Sequence, residues 1–293
     1  MKYASFLGCT LPSRAHNYEA SARIVGNKLG IEFVDTFEFN CCGLPLKSAH
    51  FETFLTIAGN NLAIAEAKGY PLVVFCNGCF GALSEANEHL KRNAEHRKMV
   101  NELLKPLGHE FNQGVKIMHF SRVLYEDVGL EKIKSEIVKQ LKGLRIAAHY
   151  GCHYLRPSDM HESGESPKKP TSLDRLIEIT GATSIPYEDM LQCCASPLLG
   201  PSEKIAIRIG KRKLDHIKTA GAEMMVIHCP LCSIMYDQYQ PTIEKMFEVE
   251  YKIPVLYYTQ LLGISLGFDP AELGLKKNKV KADELLAKIE NIR

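Results

Sequence analysis

Ten cysteines, arranged in two sets of five, are the residues of this 293-residue chain best suited to chemistry. The first set reads C-x(31)-CC-x(33)-C-x(2)-C and the second reads C-x(40)-CC-x(34)-C-x(2)-C. Adjacent cysteines rarely bond to each other, because a disulfide demands a particular separation of the Cβ atoms. We therefore interpret each repeated pair as thiols that act together on one bound group. The two sets are Cys9, Cys41, Cys42, Cys76 and Cys79, and then Cys152, Cys193, Cys194, Cys229 and Cys232.

The number of thiols in each set narrows the choice of bound group. Structural zinc takes four ligands, usually from two short C-x(2–4)-C arms, and each half of the chain has one such arm. A cubane iron–sulfur cluster also needs four cysteines, so a fifth beside another suggests a larger or distorted cluster with a bridging thiolate. Soft thiolates also suit copper, and a C-x-x-C dithiol suits redox exchange. By count, the pattern favours iron–sulfur over zinc, and zinc over dithiol exchange.

Composition and charge describe an ordinary soluble globular protein. The net charge is only +2, so bulk electrostatics indicate neither nucleic acid nor an anionic membrane as a partner. The longest apolar runs are too short to span a bilayer, and the first residues do not resemble a signal peptide. We expect a cytoplasmic protein, and in that reducing compartment ten cysteines favour metal binding or redox chemistry over structural disulfides.

The elements that position the thiols are also repeated. Flanking segments match between the halves, as in "VVFCNGC" and "VIHCPLC". In both halves short strand-like runs alternate with amphipathic helical stretches, which is typical of parallel α/β units. We predict an α/β fold of two pseudo-repeated Rossmann-like lobes, each a small parallel sheet flanked by helices. The lobes would comprise residues 1–143 and residues 144–293, the second with a C-terminal tail.

Strand ends explain how distant thiols would meet. Cys9, Cys76, Cys152 and Cys229 each follow a predicted strand, and the adjacent pairs follow the second strand of each half. In open α/β sheets the loops beyond the carboxyl ends of the strands build the site. We therefore expect five thiols at one edge of each sheet, where they form an iron–sulfur site.

At these residues the chain resembles the cysteine-rich "CCG" domains in the B subunit of heterodisulfide reductase (HdrB), over about residues 3–262. The resemblance implies two noncubane [4Fe–4S] clusters, each held by the five cysteines of one half. It also implies reduction of the mixed disulfide of coenzyme M and coenzyme B, by homolytic cleavage between the clusters. Gly43 follows the first cysteine pair but Ala195 follows the second, and some relatives have been thought to carry zinc in one domain.

Electrons must come from a partner, because the sequence has no C-x(2)-C-x(2)-C-x(3)-C-P ferredoxin run and no Gly-rich flavin or nicotinamide turn. The resemblance implies a ferredoxin-like partner (HdrC), a flavin-containing partner (HdrA) and an associated hydrogenase or dehydrogenase. One alternative is the cysteine-rich electron-transfer subunit of a lactate, glycolate or glycerol-phosphate dehydrogenase complex. Another is a zinc- or iron-storing scaffold without turnover.

Five further residues flank the predicted ligands. Arg14 and Arg156 follow the lone cysteines in matching loops. A guanidinium group suits the anionic groups of the substrate, so both are candidates for substrate binding. The alternative is that each is an ordinary surface arginine or screens the charge of the cluster. His153 is a candidate proton donor to a released thiolate, or a histidine bonded to cluster sulfur or within the core. Lys47 and His50 are weaker candidates for substrate binding.

Two segments have no clear counterpart between the halves. Nine extra residues separate the lone cysteine from the pair in the second half, within the polar loop 157–172. We interpret that loop as a lid or as a flexible insertion. The basic run at 276–281 and the helix that follows it are interpreted as a solvated tail or as an arm that docks a partner.

Overall fold

Two parallel sheets form the frame of the protein, whose computed structural model describes residues 1–158 and 165–291. Within those residues each sheet has four strands, in the orders β2-β1-β3-β4 and β6-β5-β7-β8. The two orders are the same topology repeated, which confirms the predicted α/β fold with two similar lobes. The strands are β1 (Lys2–Phe6), β2 (Glu32–Asp35), β3 (Leu72–Val74), β4 (Ile117–His119), β5 (Arg145–His149), β6 (Thr183–Ser184), β7 (Met224–Ile227) and β8 (Val255–Tyr257).

The central strands are buried on both faces. All residues of β3, β7 and β8 are buried, as expected for parallel strands that helices cover on both sides. The register is equivalent in the two lobes: Ala4 pairs with Val34 and Leu72, and Ile146 pairs with Ser184 and Met224. The carboxyl ends of the strands of each sheet therefore lie at one edge.

Helices connect successive strands and cover the sheets. Two π-helical turns, Val123–Gly129 and Ile234–Gln238, continue the short helices Phe120–Arg122 and Pro230–Ser233. The helices are α1 (Thr10–Arg14), α2 (His16–Lys28), α3 (Phe51–Lys68), α4 (Asn77–Arg92), α5 (Ala94–Leu104), α6 (Phe120–Arg122), α7 (Leu130–Glu136), α8 (Ser172–Glu178), α9 (Glu203–Thr219), α10 (Pro230–Ser233), α11 (Gln240–Phe247), α12 (Tyr258–Ser265) and α13 (Asp283–Glu290).

The helix after the third strand of each lobe begins at the C-x(2)-C motif. Cys76 precedes the first residue of α4 and Cys229 precedes the first residue of α10. The sequence alone predicts that the first of these helices begins near Gly81, four residues later than in the structure. The earlier start places Cys79 and Cys232 in the first turn of their helices, on a rigid part of the backbone.

The two lobes pack through helices that follow the first strand of one lobe and the last strand of the other. The rings of Tyr18 on α2 and Tyr257 are stacked, with centroids 4.2 Å apart. The hydroxyls of Ser21 and Thr259 lie 2.6 Å apart in the same buried interface. The lobe boundary at residue 143 stays a prediction.

The C-terminal segment packs onto the second lobe. Asn278 is buried, and its side-chain amide donates to the Val255 carbonyl at 2.8 Å. The two backbone N–H groups after Asn278 donate to the Asp237 carboxylate, each at 2.9 Å. Leu285 and Ile289 of α13 are buried as well. The segment that we interpret as a tail or a docking arm therefore covers part of the second sheet.

Residues 159–164 of the predicted 157–172 loop lie outside the described residues. The described end of that loop is anchored, because the Glu165 carboxylate accepts the backbone N–H groups of Thr171 and Ser172 at 2.9 and 3.0 Å. Among the described residues, none of the helices has the length and apolar character needed to cross a membrane.

Candidate iron–sulfur site

The five thiols of the N-terminal lobe converge at the carboxyl edge of its sheet. The Cys42 thiol lies close enough to Cys41 and to Cys79 to shift its pKa, and Cys79 stands in the same relation to Cys76. Cys9 lies close enough to Cys41 to interact with it electrostatically. Loops after three different strands therefore supply one group of thiols.

The C-terminal lobe repeats this arrangement. The Cys152 Sγ lies 3.7 Å from the Cys193 Sγ. Cys193 and Cys194 lie close enough to influence each other's pKa, as do Cys194 and Cys232, and Cys232 and Cys229. The two sets of five, which the sequence pattern defines, are therefore two spatial groups.

The two groups touch each other across the lobe interface. The Cys76 Sγ and the Cys229 Sγ, which occupy equivalent positions before α4 and α10, lie 3.9 Å apart. Beside them the Asn77 side chain of the first lobe donates to the Tyr150 carbonyl of the second at 2.8 Å. A Cβ on Gly151 would lie 2.3 Å from the Asn77 Nδ2, so only glycine permits this approach. The structure thus brings ten thiols into one continuous region.

A left-handed turn after each cysteine pair allows both thiols to face the site. Gly43 has φ +81° and Ala195 has φ +59°. The second turn keeps the shape of the first although alanine in this region costs about 1–2 kcal/mol. The Ala195 N–H donates to the Cys193 Sγ at 3.3 Å, and the Ser196 N–H to the Cys194 Sγ at 3.5 Å. The departure from the CCG pattern at Ala195 therefore leaves the turn intact.

Crowding of the thiols favours ionisation of Cys42 in the first lobe and of Cys193 and Cys229 in the second. Hydrogen bonds from Cys41 and Cys79 lower the pKa of Cys42 to about 3. Hydrogen bonds from Cys152 and Cys194 lower the pKa of Cys193 to about 2. The thiolate is the form of cysteine that binds metals, so each group presents an anionic ligand at neutral pH.

The donor set fits an iron–sulfur cluster. All ten cysteines are free thiols, and thiolates are the ligands of such clusters. Among the described residues, no three His, Cys, Asp or Glu side chains are arranged to hold a single metal ion. A cluster of several irons binds its cysteines at separate metal atoms, so it does not require convergence on one point.

The two thiol groups differ in their exposure to solvent. Cys9 and Cys41 of the first group are exposed, whereas their equivalents in the second group, Cys152 and Cys193, are half-buried. The remaining six cysteines are buried. Solvent therefore reaches the N-terminal group more readily than the C-terminal group.

The predicted arginines lie near the sites, at the surface. Arg14 is exposed at the end of α1, five residues after Cys9. Arg156 is exposed four residues after Cys152. Both guanidinium groups are accessible to a ligand, and their role in substrate binding stays a prediction.

Lys47 and His50 have partners within the protein. The Lys47 ammonium forms an ion pair with Glu85 on α4. The His50 Nδ1 accepts the Thr53 backbone N–H at 3.3 Å and so caps the N-terminus of α3. These contacts give both residues a structural role, while substrate binding by them stays a prediction.

His153 lies between the lobes. Its Nδ1 is 3.2 Å from the Cys152 Sγ, and its ring packs against α4, where a Cβ on Gly81 would lie 3.0 Å from the His153 Cβ. The contact places an imidazole beside the half-buried edge of the second thiol group. Proton donation by His153 stays a prediction.

A buried histidine network beside the sites was missed from the sequence. The His228 Nδ1 lies 2.9 Å from the Ser121 Oγ, and its Nε2 lies 2.6 Å from the Tyr150 carbonyl. The Ser121 Oγ also lies 2.9 Å from the His119 Nδ1. Burial lowers the pKa of His228 to about 4. Alignment of the two halves could have drawn attention to His228, because it precedes Cys229 at the position where Phe75 precedes Cys76.

A buried lysine was missed as well. Lys213 on α9 is 1% exposed, and its Nζ donates to the Gln192 carbonyl at 2.8 Å, directly before the second cysteine pair. It stands 19 residues after Cys194, and Asn61 stands 19 residues after Cys42. Alignment of the two halves would have shown this lysine–asparagine exchange.

Comparison with known proteins identifies the repeated unit. The family model described as "Cysteine-rich domain" (CCG) matches residues 3–84 and 146–237, one match in each lobe. The B subunit of the ferredoxin/F(420)H(2)-dependent CoB-CoM heterodisulfide reductase of Methanosarcina acetivorans is 36% identical over 99% of this chain and 98% of its own length. The 8-methylmenaquinol:fumarate reductase membrane anchor subunit of Wolinella succinogenes is 30% identical over 97% of this chain and 99% of its own.

A solved structure supports the fold alone. A hypothetical protein from Helicobacter pylori has a TM-score of 0.78 at 18% identity, covering 96% of this chain and 52% of that one. The family match, by contrast, places each domain copy over one group of thiols. The chain belongs to the cysteine-rich (CCG) domain family, with two copies of the domain, and is homologous to the B subunit of heterodisulfide reductase.

Proposed function

We propose that the chain is the catalytic subunit of a heterodisulfide reductase, which reduces the mixed disulfide of coenzyme M and coenzyme B to two thiols. The 3.9 Å contact between the Cys76 and Cys229 Sγ atoms carries this proposal. It makes the two thiol groups neighbours, so one small disulfide can reach both. The heterodisulfide reductase homologue, similar over nearly its whole length, supports the same activity.

The cofactors that we propose are two noncubane [4Fe–4S] clusters, one held by each set of five cysteines. When bound, the clusters would supply the one-electron chemistry of iron–sulfur centres. Reduction of a disulfide consumes two electrons and two protons and releases two thiols. Two adjacent sites match that demand, since the sulfur–sulfur bond can break homolytically with one sulfur turned toward each lobe.

The chain's own residues would orient the substrate and supply a proton. Arg14 and Arg156 are exposed near the two lone cysteines, and guanidinium groups pair well with sulfonate and phosphate. The His153 Nδ1, which lies 3.2 Å from the Cys152 Sγ, can hold a proton where a thiolate is released. Burial of the other thiols and of His228 excludes water from the contact between the lobes.

Electrons would reach the chain from a partner protein. We propose that a ferredoxin-like protein (HdrC) is the donor, that a flavin-containing protein (HdrA) supplies it, and that a hydrogenase or dehydrogenase is associated with them, all in the cytoplasm. The exposed Cys9 and Cys41 mark the N-terminal site as the more accessible point of entry.

Purification of the protein under anaerobic conditions tests this proposal. We expect about eight irons and about eight sulfides per chain, as two [4Fe–4S] clusters require, and release of both thiols from the heterodisulfide with a one-electron donor. Stoichiometric zinc in place of four irons, or a fully loaded protein that releases no thiol, would contradict it.

A second candidate is the electron-transfer subunit of a lactate, glycolate or glycerol-phosphate dehydrogenase type of complex. The exposure of Cys9 and Cys41 favours it, because a relay centre must lie near the surface. In that case the reduced protein would pass electrons to an acceptor but would leave the heterodisulfide intact.

A further inference from the structure

The two thiol groups are held by side chains of different charge. In each lobe a buried residue, 19 positions after the second cysteine of the pair, reaches from a helix to the loop before that pair. In the N-terminal lobe this residue is Asn61 on α3, whose Nδ2 donates to the Cys41 carbonyl at 2.9 Å and whose Oδ1 accepts the Asn40 N–H at 2.8 Å. A neutral amide is therefore sufficient to hold such a loop.

In the C-terminal lobe the equivalent residue is Lys213. Its Nζ donates to the carbonyls of Gln192 and Met190 at 2.8 and 3.1 Å and lies 3.2 Å from the His149 Nδ1. All three partners are uncharged hydrogen-bond acceptors. Lys213 forms no ion pair with a carboxylate among the described residues, and the nearby Asp189 carboxylate is engaged by Arg212 at 2.5 Å.

The lysine keeps its charge in this buried position. Burial lowers the pKa of Lys213 to about 8, and the neighbouring Cys232 and Cys194 and the Asp189 carboxylate act to raise it. The ammonium is therefore mostly protonated at neutral pH. A buried cation that pairs directly with no carboxylate is costly unless a nearby anion compensates it, and the Asp189 carboxylate and the cysteines of the second set are the neighbouring groups that can do so.

The backbone hydrogen bonds to the sulfurs of the cysteine pairs are matched between the lobes. The backbone N–H groups of Gly43 and Leu44 bond to Cys41 and Cys42, as those of Ala195 and Ser196 do to the second pair. Net charge and hydrogen bonds to sulfur set the reduction potential of an iron–sulfur centre. With these backbone hydrogen bonds matched, the charge of Lys213 remains as a difference between the lobes, together with the His153 imidazole beside Cys152.

We propose that Lys213 is a positioning residue that fixes a positive charge beside the C-terminal centre and raises its reduction potential above that of the N-terminal centre. The inference rests on the proposed iron–sulfur clusters, though not on their substrate. A fixed cation stabilises the state that carries one more electron, and it does so strongly in a dry interior. Greater solvent exposure of the N-terminal site acts in the opposite direction, and we expect the buried charge to outweigh it. An electron that enters at either site would then rest on the C-terminal centre first.

The test is a redox titration of the anaerobic full-length protein, followed by electron paramagnetic resonance. Lys213→Asn introduces the residue that the N-terminal lobe has at the equivalent position. It should lower the reduction potential of the centre whose potential is higher and leave the reduction potential of the other centre unchanged. Lys213→Arg keeps the charge and should retain most of the potential. Lys211→Gln, on the same helix but paired with Asp215 at 2.8 Å, should move neither potential.

Three outcomes would overturn the inference. Lys213→Asn with full iron and unchanged potentials would do so, as would an equal shift of both centres. Loss of iron from the C-terminal site alone in Lys213→Asn would assign Lys213 a purely structural role. Wild-type protein that contains no iron and sulfide would instead refute the proposed function. Wild-type protein that contains both clusters but does not cleave the disulfide would refute the proposed substrate, and the redox titration would still test the role of Lys213.

Discussion

The N-terminal site exposes two of its five thiols, Cys9 and Cys41, whereas the C-terminal site keeps its equivalents half-buried and adds a buried cation, Lys213. The strand order, the turn after the cysteine pair and the helix start at the C-x(2)-C motif are the same in both lobes. Duplication has therefore kept the residues that hold a ligand and changed the residues that surround it. The difference suggests that one site faces a partner while the other keeps the electron.

The largest effect that we predict concerns turnover, for which we expect both sites to be required. Cys9→Ser and Cys152→Ser should each lower heterodisulfide reduction by more than about 100-fold, because residues that act as one unit are not additive. Both variants together should be scarcely worse than either alone. The measurement is release of both thiols with a one-electron donor. Substantial activity in either single variant would show that one site suffices and that the other is an electron relay.

The second prediction separates the sites by their metal content. Cys42→Ser should disturb the N-terminal cluster and Cys194→Ser the C-terminal cluster, each leaving about four of about eight irons. Either variant should keep the spin signal of the other lobe. Iron analysis and electron paramagnetic resonance of anaerobic protein measure both quantities. Unchanged iron content in both variants would show that these cysteines are structural residues and not cluster ligands.

The third prediction concerns the C-terminal segment, which has no clear counterpart in the N-terminal lobe. Ile289 is 1% exposed on α13, so Ile289→Ala should lower the free energy of unfolding by about 2–4 kcal/mol through lost burial and a cavity. Urea unfolding under anaerobic conditions measures the change. The exposed Glu284→Ala on the same helix is the control and should change stability little. A small loss in Ile289→Ala would indicate that the helix detaches in solution.

The smallest predicted effect depends on pH and on a residue that differs between the lobes. His119 ends β4, where Tyr257 ends β8. Burial, followed by the nearby His228 and Arg122, lowers the pKa of His119 well below its usual value. Below about pH 6.5 the unfolded chain takes up a proton at this residue and the folded chain does not, so stability falls as pH falls.

The size of that effect is about 1 kcal/mol for each pH unit below the usual histidine pKa. His119→Gln should therefore make the free energy of unfolding fall less steeply between about pH 6.5 and 5. Denaturant unfolding at several pH values measures the slope. Equal slopes in the variant and the wild type would mean that His119 is protonated in the folded protein.

Much of the frame could be predicted from the sequence, because its signals are local. The strands of both sheets lie within short apolar runs such as "PLVVF" and "EMMVIH", and the cysteine spacing showed the duplication. The start of α4 was predicted late, because Gly78 in the first turn weakens the helical pattern and the position of Cys76 before the helix depends on the strand behind it.

The surroundings of the sites could not be predicted in the same way. Lys213 lies in the run "GKRKLD", which has the charge pattern of a solvated helix face. Its neighbour Lys211 pairs with Asp215 at the surface, while Lys213 reaches inward to the carbonyls of Met190 and Gln192. Only the tertiary position of that loop decides which of the cations is buried.

The close approach of Cys76 and Cys229 also has a consequence for how the protein is made. A newly synthesised chain carries ten free thiols, and the 3.9 Å gap between these two needs only a small movement to reach the roughly 2.05 Å of a disulfide. We expect oxygen from the air to oxidise these two thiols to a disulfide, which would crosslink the lobes before iron is inserted. Mass spectrometry of peptides from aerobically purified protein would detect the Cys76–Cys229 crosslink. Oxygen would then damage this protein during its maturation, and reductant would have to precede iron in any reconstitution.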